Sequence, residues 1–214
     1  MKRRDFSLAA TSIGLLSLAA VPAHAQRAPK AGTDFLVLDK RVPVDAPAGK
    51  VEVVEFFSYN CPHCNDFEPS LEAWVKAAPK EVAFRRIPVP FVGNDVEAKQ
   101  RLYFTLEAMG KLDEYHPKVF AAIHAQRQNL NGEANIQAWA ERAGLDGAKF
   151  KETFASFGVA SKARRAAQQT EAYKVAGVPA LAVAGRWYVD GETAGSMSKV
   201  LQVATFLIGE AKKG

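Results

Sequence analysis

The stretch FFSYNCPHCND, Phe56 to Asp66, holds both cysteines of the 214-residue chain, with Pro62 and His63 between Cys61 and Cys64. Two thiols at this spacing can close a structural disulfide, supply half of a metal site, or exchange disulfides with other proteins. A staple across so short a loop restrains the unfolded chain little, and a chain of this length can bury a core without one. A zinc site takes three or four ligands. The sequence offers the two cysteines, His63 and the distant His116 and His124, with no second cysteine pair and no close histidine pair. A dithiol/disulfide reagent is the reading that the surroundings favour.

Those surroundings are a junction between a strand and a helix. Val51 to Phe57 is β-branched and aromatic, a buried strand by composition. After the cysteines, Phe67, Leu71, Trp74, Val75 and Ala78 recur at helical spacing, with Pro69 a possible kink and Pro79 marking the end. Cys61 therefore falls near a helix N-terminus, where unpaired N–H groups and the positive end of the macrodipole favour an anion. A thiolate gains from this and a neutral thiol does not, so the Cys61 pKa should fall. Pro62 suits the first helical turn, where its missing N–H costs nothing. His63 lies between the sulfurs and can donate a hydrogen bond or place positive charge beside Cys61. A stabilised thiolate is a good leaving group and favours the reduced form, which makes the disulfide a strong oxidant. Cys64, one turn inward, is then the buried resolving thiol.

The rest of the chain must position this pair. Lys2, Arg3 and Arg4 precede a largely apolar run to Val21 and then Ala23-His24-Ala25, the three parts of a secretory signal peptide. Residues 1–25 are read as that leader, with the mature chain starting at Gln26. The paired arginines leave both the general secretory and the twin-arginine route open. An exported destination, a periplasm, lets disulfides persist. The formal charge of +5 falls to about +3 without the leader. No basic stripe with interleaved aromatics is present, so nucleic acid is not indicated. Phe35 to Leu38 reads as an edge strand and Val82 to Ile87 as a second core strand, stopped by Pro88 and Pro90. From Asn94 to about Ala176 the pattern is mostly helical, with Asn94 or Asp95 as first cap and Gly110, Gly132, Gly144 and Gly158 as separators. Leu181 to Ala184 and Trp187 to Val189 read as a hairpin joined by Gly185-Arg186. Met197, Val200, Leu201, Ala204, Leu207 and Ile208 form the apolar face of a last helix. The sum is an α/β chain with a central mixed sheet covered by helices, and a helical block too long to be a mere connection.

Phe56-Phe57-Ser58, Cys61-Pro62-His63-Cys64 and the distant Gly177-Val178-Pro179-Ala180 together resemble the DsbA family of thiol:disulfide oxidoreductases of bacterial periplasms, over nearly the whole mature chain. That family is known for a low nucleophile pKa and a strongly oxidising disulfide. The resemblance implies a thioredoxin fold with an inserted all-helical subdomain: residues 26–93 and 166–214 form the thioredoxin-like part and 94–165 the insertion. It implies transfer of the Cys61–Cys64 disulfide to reduced, unfolded exported proteins, with Cys61 the exposed nucleophile and Cys64 the resolving thiol. Val178-Pro179 matches a cis-proline loop, which offers backbone groups to an extended substrate strand. Reoxidation by a DsbB-type, quinone-linked membrane oxidase is implied, with no metal or organic cofactor and the chain a monomer. Tyr59-Asn60 is more polar than the pair usual there and would change the substrate-facing surface.

Glu55 stands where the family carries a buried acid. By alternation it shares a face with Val53 and Phe57, and it is a candidate proton acceptor for Cys64. Arg86 on the next strand offers a counter-charge, although a surface position is the commoner place for an arginine. His116 and His124 read as ordinary surface or core histidines, and Trp74, Trp139 and Trp187 as core. Two rivals remain from the sequence: an isomerase or reductase on the same fold, and a non-catalytic chaperone or peptide-binding module with a structural disulfide. Isomerases resembling this family usually carry an N-terminal dimerisation domain, and about 25 residues before the Val51 strand are too few for one.

Overall fold

The computed structural model describes residues 27–213. The expected leader and its cleavage point lie outside the described residues. Five strands form one mixed sheet: β1 (Leu36–Val37), β2 (Val51–Phe57), β3 (Val82–Pro88), β4 (Ala180–Val183) and β5 (Trp187–Asp190), in the order β1-β5-β4-β2-β3. β2 runs parallel to β3 and antiparallel to β4, and all seven of its residues are buried. A β-branched and aromatic run covered on both faces is what such a position selects.

Helix α1 (Pro62–Ala77) follows β2 directly, with Cys61 at its N-cap and Pro62 in its first turn. It continues through Pro69, which faces solvent, and buries Cys64, Phe67, Glu68 and Leu71. Between β3 and β4 come α2 (Val96–Ala108), α3 (Leu112–Phe120), one π-helical turn at Ala121–Ala125, α4 (Glu133–Arg142), α5 (Gly147–Ala155) and α6 (Phe157–Ala172). After the hairpin, a short α7 (Gly191–Ala194) precedes α8 (Met197–Ala211). The sheet divides the core. Val53, Leu181 and Val189 pack with Phe67 and Leu71 of α1 and Leu207 of α8 on one face. Val54, Phe56 and Ala182 pack with the helices of residues 96–172 on the other.

Several local expectations need correction. Helix α6 begins at Phe157 rather than at the expected Ser161, runs unbroken through residue 165 to Ala172, and packs on both α2 and β3. Gly158 does not separate helices, because Ser156 caps α6 by accepting from the Val159 N–H at 3.3 Å. Asp95 occupies the N-cap of α2 at φ +52° but does not cap it; its carboxylate accepts from the Gly132 N–H instead. The hairpin turn is centred on Ala184-Gly185, both at positive φ, and is closed by the Arg186 N–H to the Val183 carbonyl at 3.1 Å. Gly185 is required there, since a Cβ would meet the Val42 carbonyl oxygen at 2.0 Å. Trp139 and Trp187 are core residues, while Trp74 is half-buried and donates its Nε1–H to Thr205 Oγ1 on α8 at 2.9 Å.

Candidate active site

Both cysteines are free thiols in this structure. Cys64 is fully buried, and Cys61, expected to be exposed, is only 4% accessible. The cover is the loop before β4: the Val178 carbonyl oxygen lies 3.5 Å from Cys61 Sγ, and the Val178–Pro179 peptide is cis. The Cys61 thiol is pulled down from the ordinary 9.0 to about 6. The first cause is a hydrogen bond from the Cys64 thiol; burial opposes it, and the backbone N–H groups of Cys64 and His63 and the His63 ring charge add to it. The helix N-terminus thus contributes as expected, but the partner sulfur contributes more. His63 itself is exposed. Burial pushes the Cys64 thiol far up, and the bond to Cys61 adds to this. One sulfur is a thiolate at neutral pH and its neighbour a thiol.

The turn before Cys61 is built from its own hydrogen bonds. The Cys61 N–H donates to the Ser58 carbonyl at 3.0 Å, and the Asn60 N–H to Ser58 Oγ at 3.2 Å. Tyr59 does not face outward as the polarity of the sequence suggests; it is buried at 1% exposure. Its hydroxyl and His116 Nδ1 are 2.7 Å apart, and His124 Nε2, on the π-helical turn, is 2.8 Å from its carbonyl oxygen. With Nδ1 accepting from the tyrosine, the His116 proton sits on Nε2, 3.5 Å from Glu68 Oε1. Burial lowers the His116 pKa, with Glu68 opposing it, and so favours the neutral ring.

Beneath the sulfurs lies a buried ionic cluster. Glu55 is fully buried, which rules out a solvent-facing strand position. Arg86, directly opposite it in the β2–β3 register, donates Nε–H to Glu55 at 2.9 Å and Nη2–H to Glu68 and Glu72, each at 2.6 Å. Arg86 is therefore an interior counter-ion and not a surface residue. One guanidinium serves three carboxylates, and one oxygen of Glu55 has no partner. Burial raises the Glu55 pKa from 4.5 to about 8 despite the salt bridge. Burial also disfavours the charged form of Glu68, but His116 and Arg86 outweigh it and hold that pKa below the ordinary value. The Glu55 charge is felt at Cys64. Sequence reasoning missed Glu68, Glu72, Tyr59 and both histidines as members of this site. The α1 spacing Cys64, Glu68, Glu72, one residue every turn or so, was a signal for the two carboxylates; Tyr59 and the histidines had none.

A cleft of about 540 Å³ opens beside the sulfurs, lined by His63, Phe67, Val178, Pro179, Met197 and Leu201 among others. Of the candidate residues, Cys61 lies against Val178, His63 shares the cleft with Val178 and Pro179, Pro62 is exposed in the first turn of α1, and Cys64 and Glu55 are buried behind them. Among the described residues no group of three or more His, Cys, Asp or Glu side chains is placed to hold a metal, and no helix is long and apolar enough to cross a membrane.

Comparison with known proteins agrees with this geometry. The model of the DSBA-like thioredoxin domain matches residues 52–201. The thiol:disulfide interchange protein DsbA of Bordetella pertussis is 39% identical over 207 residues, 96% of either chain. The crystal structure of Pseudomonas aeruginosa DsbA superimposes with a TM-score of 0.81 at 35% identity, covering 86% of this chain and 95% of that one. That of the oxidoreductase DsbA from Xylella fastidiosa gives 0.80 at 28% identity, covering 88% and 100%.

Proposed function

The chain belongs to the DSBA-like thioredoxin family and is a thiol:disulfide oxidoreductase, and from that premise we propose the route by which its dithiol works. The observation that carries it is the placement of the sulfurs: Cys61 at the N-cap of α1 against the Val178 carbonyl, and Cys64 fully buried one turn inward. In the oxidised enzyme a substrate thiolate attacks Cys61 Sγ, the Cys61–Cys64 bond breaks, and Cys64 leaves and takes up a proton. A second substrate thiolate then attacks the substrate sulfur of the mixed disulfide and expels Cys61 as a thiolate. Two electrons pass from the substrate dithiol to the enzyme. The stabilised Cys61 anion makes this second expulsion easy and the reduced enzyme the favoured product.

Glu55, with a pKa near the working pH, exchanges the proton of Cys64. Pro62 and His63 shape the turn and charge around Cys61. Val178 and Pro179 offer backbone to an extended substrate strand lying in the adjacent cleft. The helical stretch 94–165, which supplies His116 and His124 to the redox turn, serves as an insertion that steadies it. Substrates are reduced, unfolded exported proteins in the periplasm, reached through the leader at residues 1–25; the chain acts as a monomer, and a DsbB-type, quinone-linked membrane oxidase returns the dithiol to the disulfide.

The test is refolding of a reduced, denatured disulfide protein with oxidised enzyme, beside trapping with Cys64→Ala. Rapid oxidation and a mixed disulfide at Cys61 are expected. A protein that binds the substrate yet yields no mixed disulfide would be a binding module, and the route would be wrong.

A further inference from the structure

Residues 92–95, the link between β3 and α2, are held in a backbone conformation that most side chains avoid. Val92 lies at φ +75°, Gly93 at +83° and Asp95 at +52°. A β-branched residue at positive φ is a genuine outlier, and such strain persists only where the surroundings over-determine it. Here the determinant is Asn60, the residue before the nucleophile. Its Nδ2 donates to the Val92 carbonyl at 3.0 Å and to the Asn94 carbonyl at 2.9 Å. Ser58 Oγ, 3.3 Å from the same Val92 oxygen, adds a second tie. Gly93 lies flush on the Asn60 side chain, and a Cβ there would meet Asn60 Cβ at 2.6 Å. Behind the loop, the nearly buried Lys99 donates to the Asn94 carbonyl at 3.1 Å and to Asn131 Oδ1 at 2.7 Å. A continuous set of hydrogen bonds therefore runs from α2 through the strained loop to the residue preceding Cys61.

We propose that Asn60 is a positioning residue for thiol exchange: its amide ties the 92–94 loop to the redox turn and so holds Cys61 Sγ against the donors that steady its charge. The donors are the His63 and Cys64 N–H groups and the Cys64 thiol, while Cys61 sits between α1 and Asn60. On that side the Cys61 N–H is tied to the Ser58 carbonyl and Tyr59 is held by His116 and His124, and Asn60 is the tie that fixes the turn to the 92–94 loop. Both carbonyls accept, so only the amide nitrogen, not the amide oxygen, can face them, and an uncharged residue of the same size without the donor breaks the tie.

This rests on the oxidoreductase reading, which the parent protein tests separately in the same assay: a parent that fails to oxidise a reduced dithiol peptide removes that reading and the inference with it. With an active parent, Asn60→Leu and Gly93→Ala are compared by thiolate absorbance titration of Cys61, by the equilibrium constant with glutathione, and by kcat and KM for the peptide. Asn60→Leu should raise the titration midpoint by about half a pH unit or more, which corresponds to about a three-fold change in the glutathione equilibrium constant toward the disulfide, and should lower kcat with KM little changed. Gly93→Ala should act in the same direction, and the double variant should go no further than the larger single change. A variant Asn60→Leu that titrates, equilibrates and turns over as the parent does would overturn the proposal, even if it melts earlier, since a purely structural tie moves stability alone. Additive effects in the double variant would overturn it too. If Gly93→Ala does not fold, Asn60→Leu decides alone.

Discussion

The reduced protein should gain stability over the oxidised one as pH rises from about 6 to 9. Lowering the Cys61 pKa from 9.0 to about 6 corresponds to about 4 kcal/mol at about 1.36 kcal/mol per pKa unit. The unfolded chain keeps that proton up to the ordinary value, whereas the folded chain gives it up near 6. Between the two the unfolded state binds more protons, so the stability of the reduced form rises with pH. The contribution is complete above about 9 and is lost as pH falls through 6; between pH 5.5 and 8.5 it amounts to about 3 kcal/mol. Above 9 the trend reverses, because Cys64, pushed far up by burial, ionises there only when unfolded. Glu55 works the other way. With its pKa raised to about 8, it lowers stability as pH rises from about 4.5 to 8, but it does so in both redox forms, so the difference between the forms isolates the cysteines. The assay is denaturant unfolding of the dithiol and disulfide proteins at pH 5.5, 7 and 8.5, followed by circular dichroism, with the dithiol kept under argon. A difference that changes by less than about 1 kcal/mol across that range would refute a thiolate held by its surroundings.

Three further outcomes follow from the same geometry. Cys64→Ala should raise the Cys61 titration midpoint by about one to two pH units, the worth of a hydrogen bond to a charged group, while Cys64→Ser, which keeps a donor, should raise it less; equal midpoints in Cys64→Ala and the parent would count against the sulfur–sulfur bond. Glu55→Gln should fold, should lose the decline in stability between about pH 4.5 and 8 shown by the oxidised parent, and should slow exchange; unchanged exchange rates in stopped-flow fluorescence would remove Glu55 from the reaction. Arg86→Met should cost about 3–5 kcal/mol at pH 7 by leaving buried carboxylates unpaired, with part of the loss recovered at pH 5, where they can protonate; a loss below about 1 kcal/mol by urea unfolding would show the cluster is relaxed in other ways.

The strand-to-helix junction, the hairpin and the last helix were legible because each is a local pattern: a β-branched run, a turn residue, an apolar face at helical spacing. The buried cluster was not. Tyr59 and His116 are 57 residues apart and Tyr59 and His124 are 65, so no window of sequence contains the bond that explains either histidine. Arg86 was misjudged for the same reason. Its burial follows only from the parallel register that sets it against Glu55, with Glu68 and Glu72 of α1 completing its shell. Its neighbour Arg85 repeats the device on the opposite face, pairing with the buried Glu52 of β2 at 3.0 and 3.2 Å. The two acids of VEVVEFF are thus each neutralised by the adjacent strand, and the sequence showed one of them only as an anomaly. Asp95 shows the converse: a capping residue in the expected place whose side chain serves a different loop, because φ there is positive.

Helix α1 carries Cys64, Glu68 and Glu72 along one edge and begins at Cys61. Sulfur chemistry and ion pairing therefore share one rotational phase. Adding or deleting a single residue between Cys64 and Glu68 turns everything beyond it by about 100°, carrying both carboxylates off Arg86 while the CPHC letters stay intact. A length polymorphism in that interval would be silent to a motif search and ruinous to the machine, whereas the same change just beyond Glu72 would spare the ion pairs and instead turn Trp74 away from Thr205.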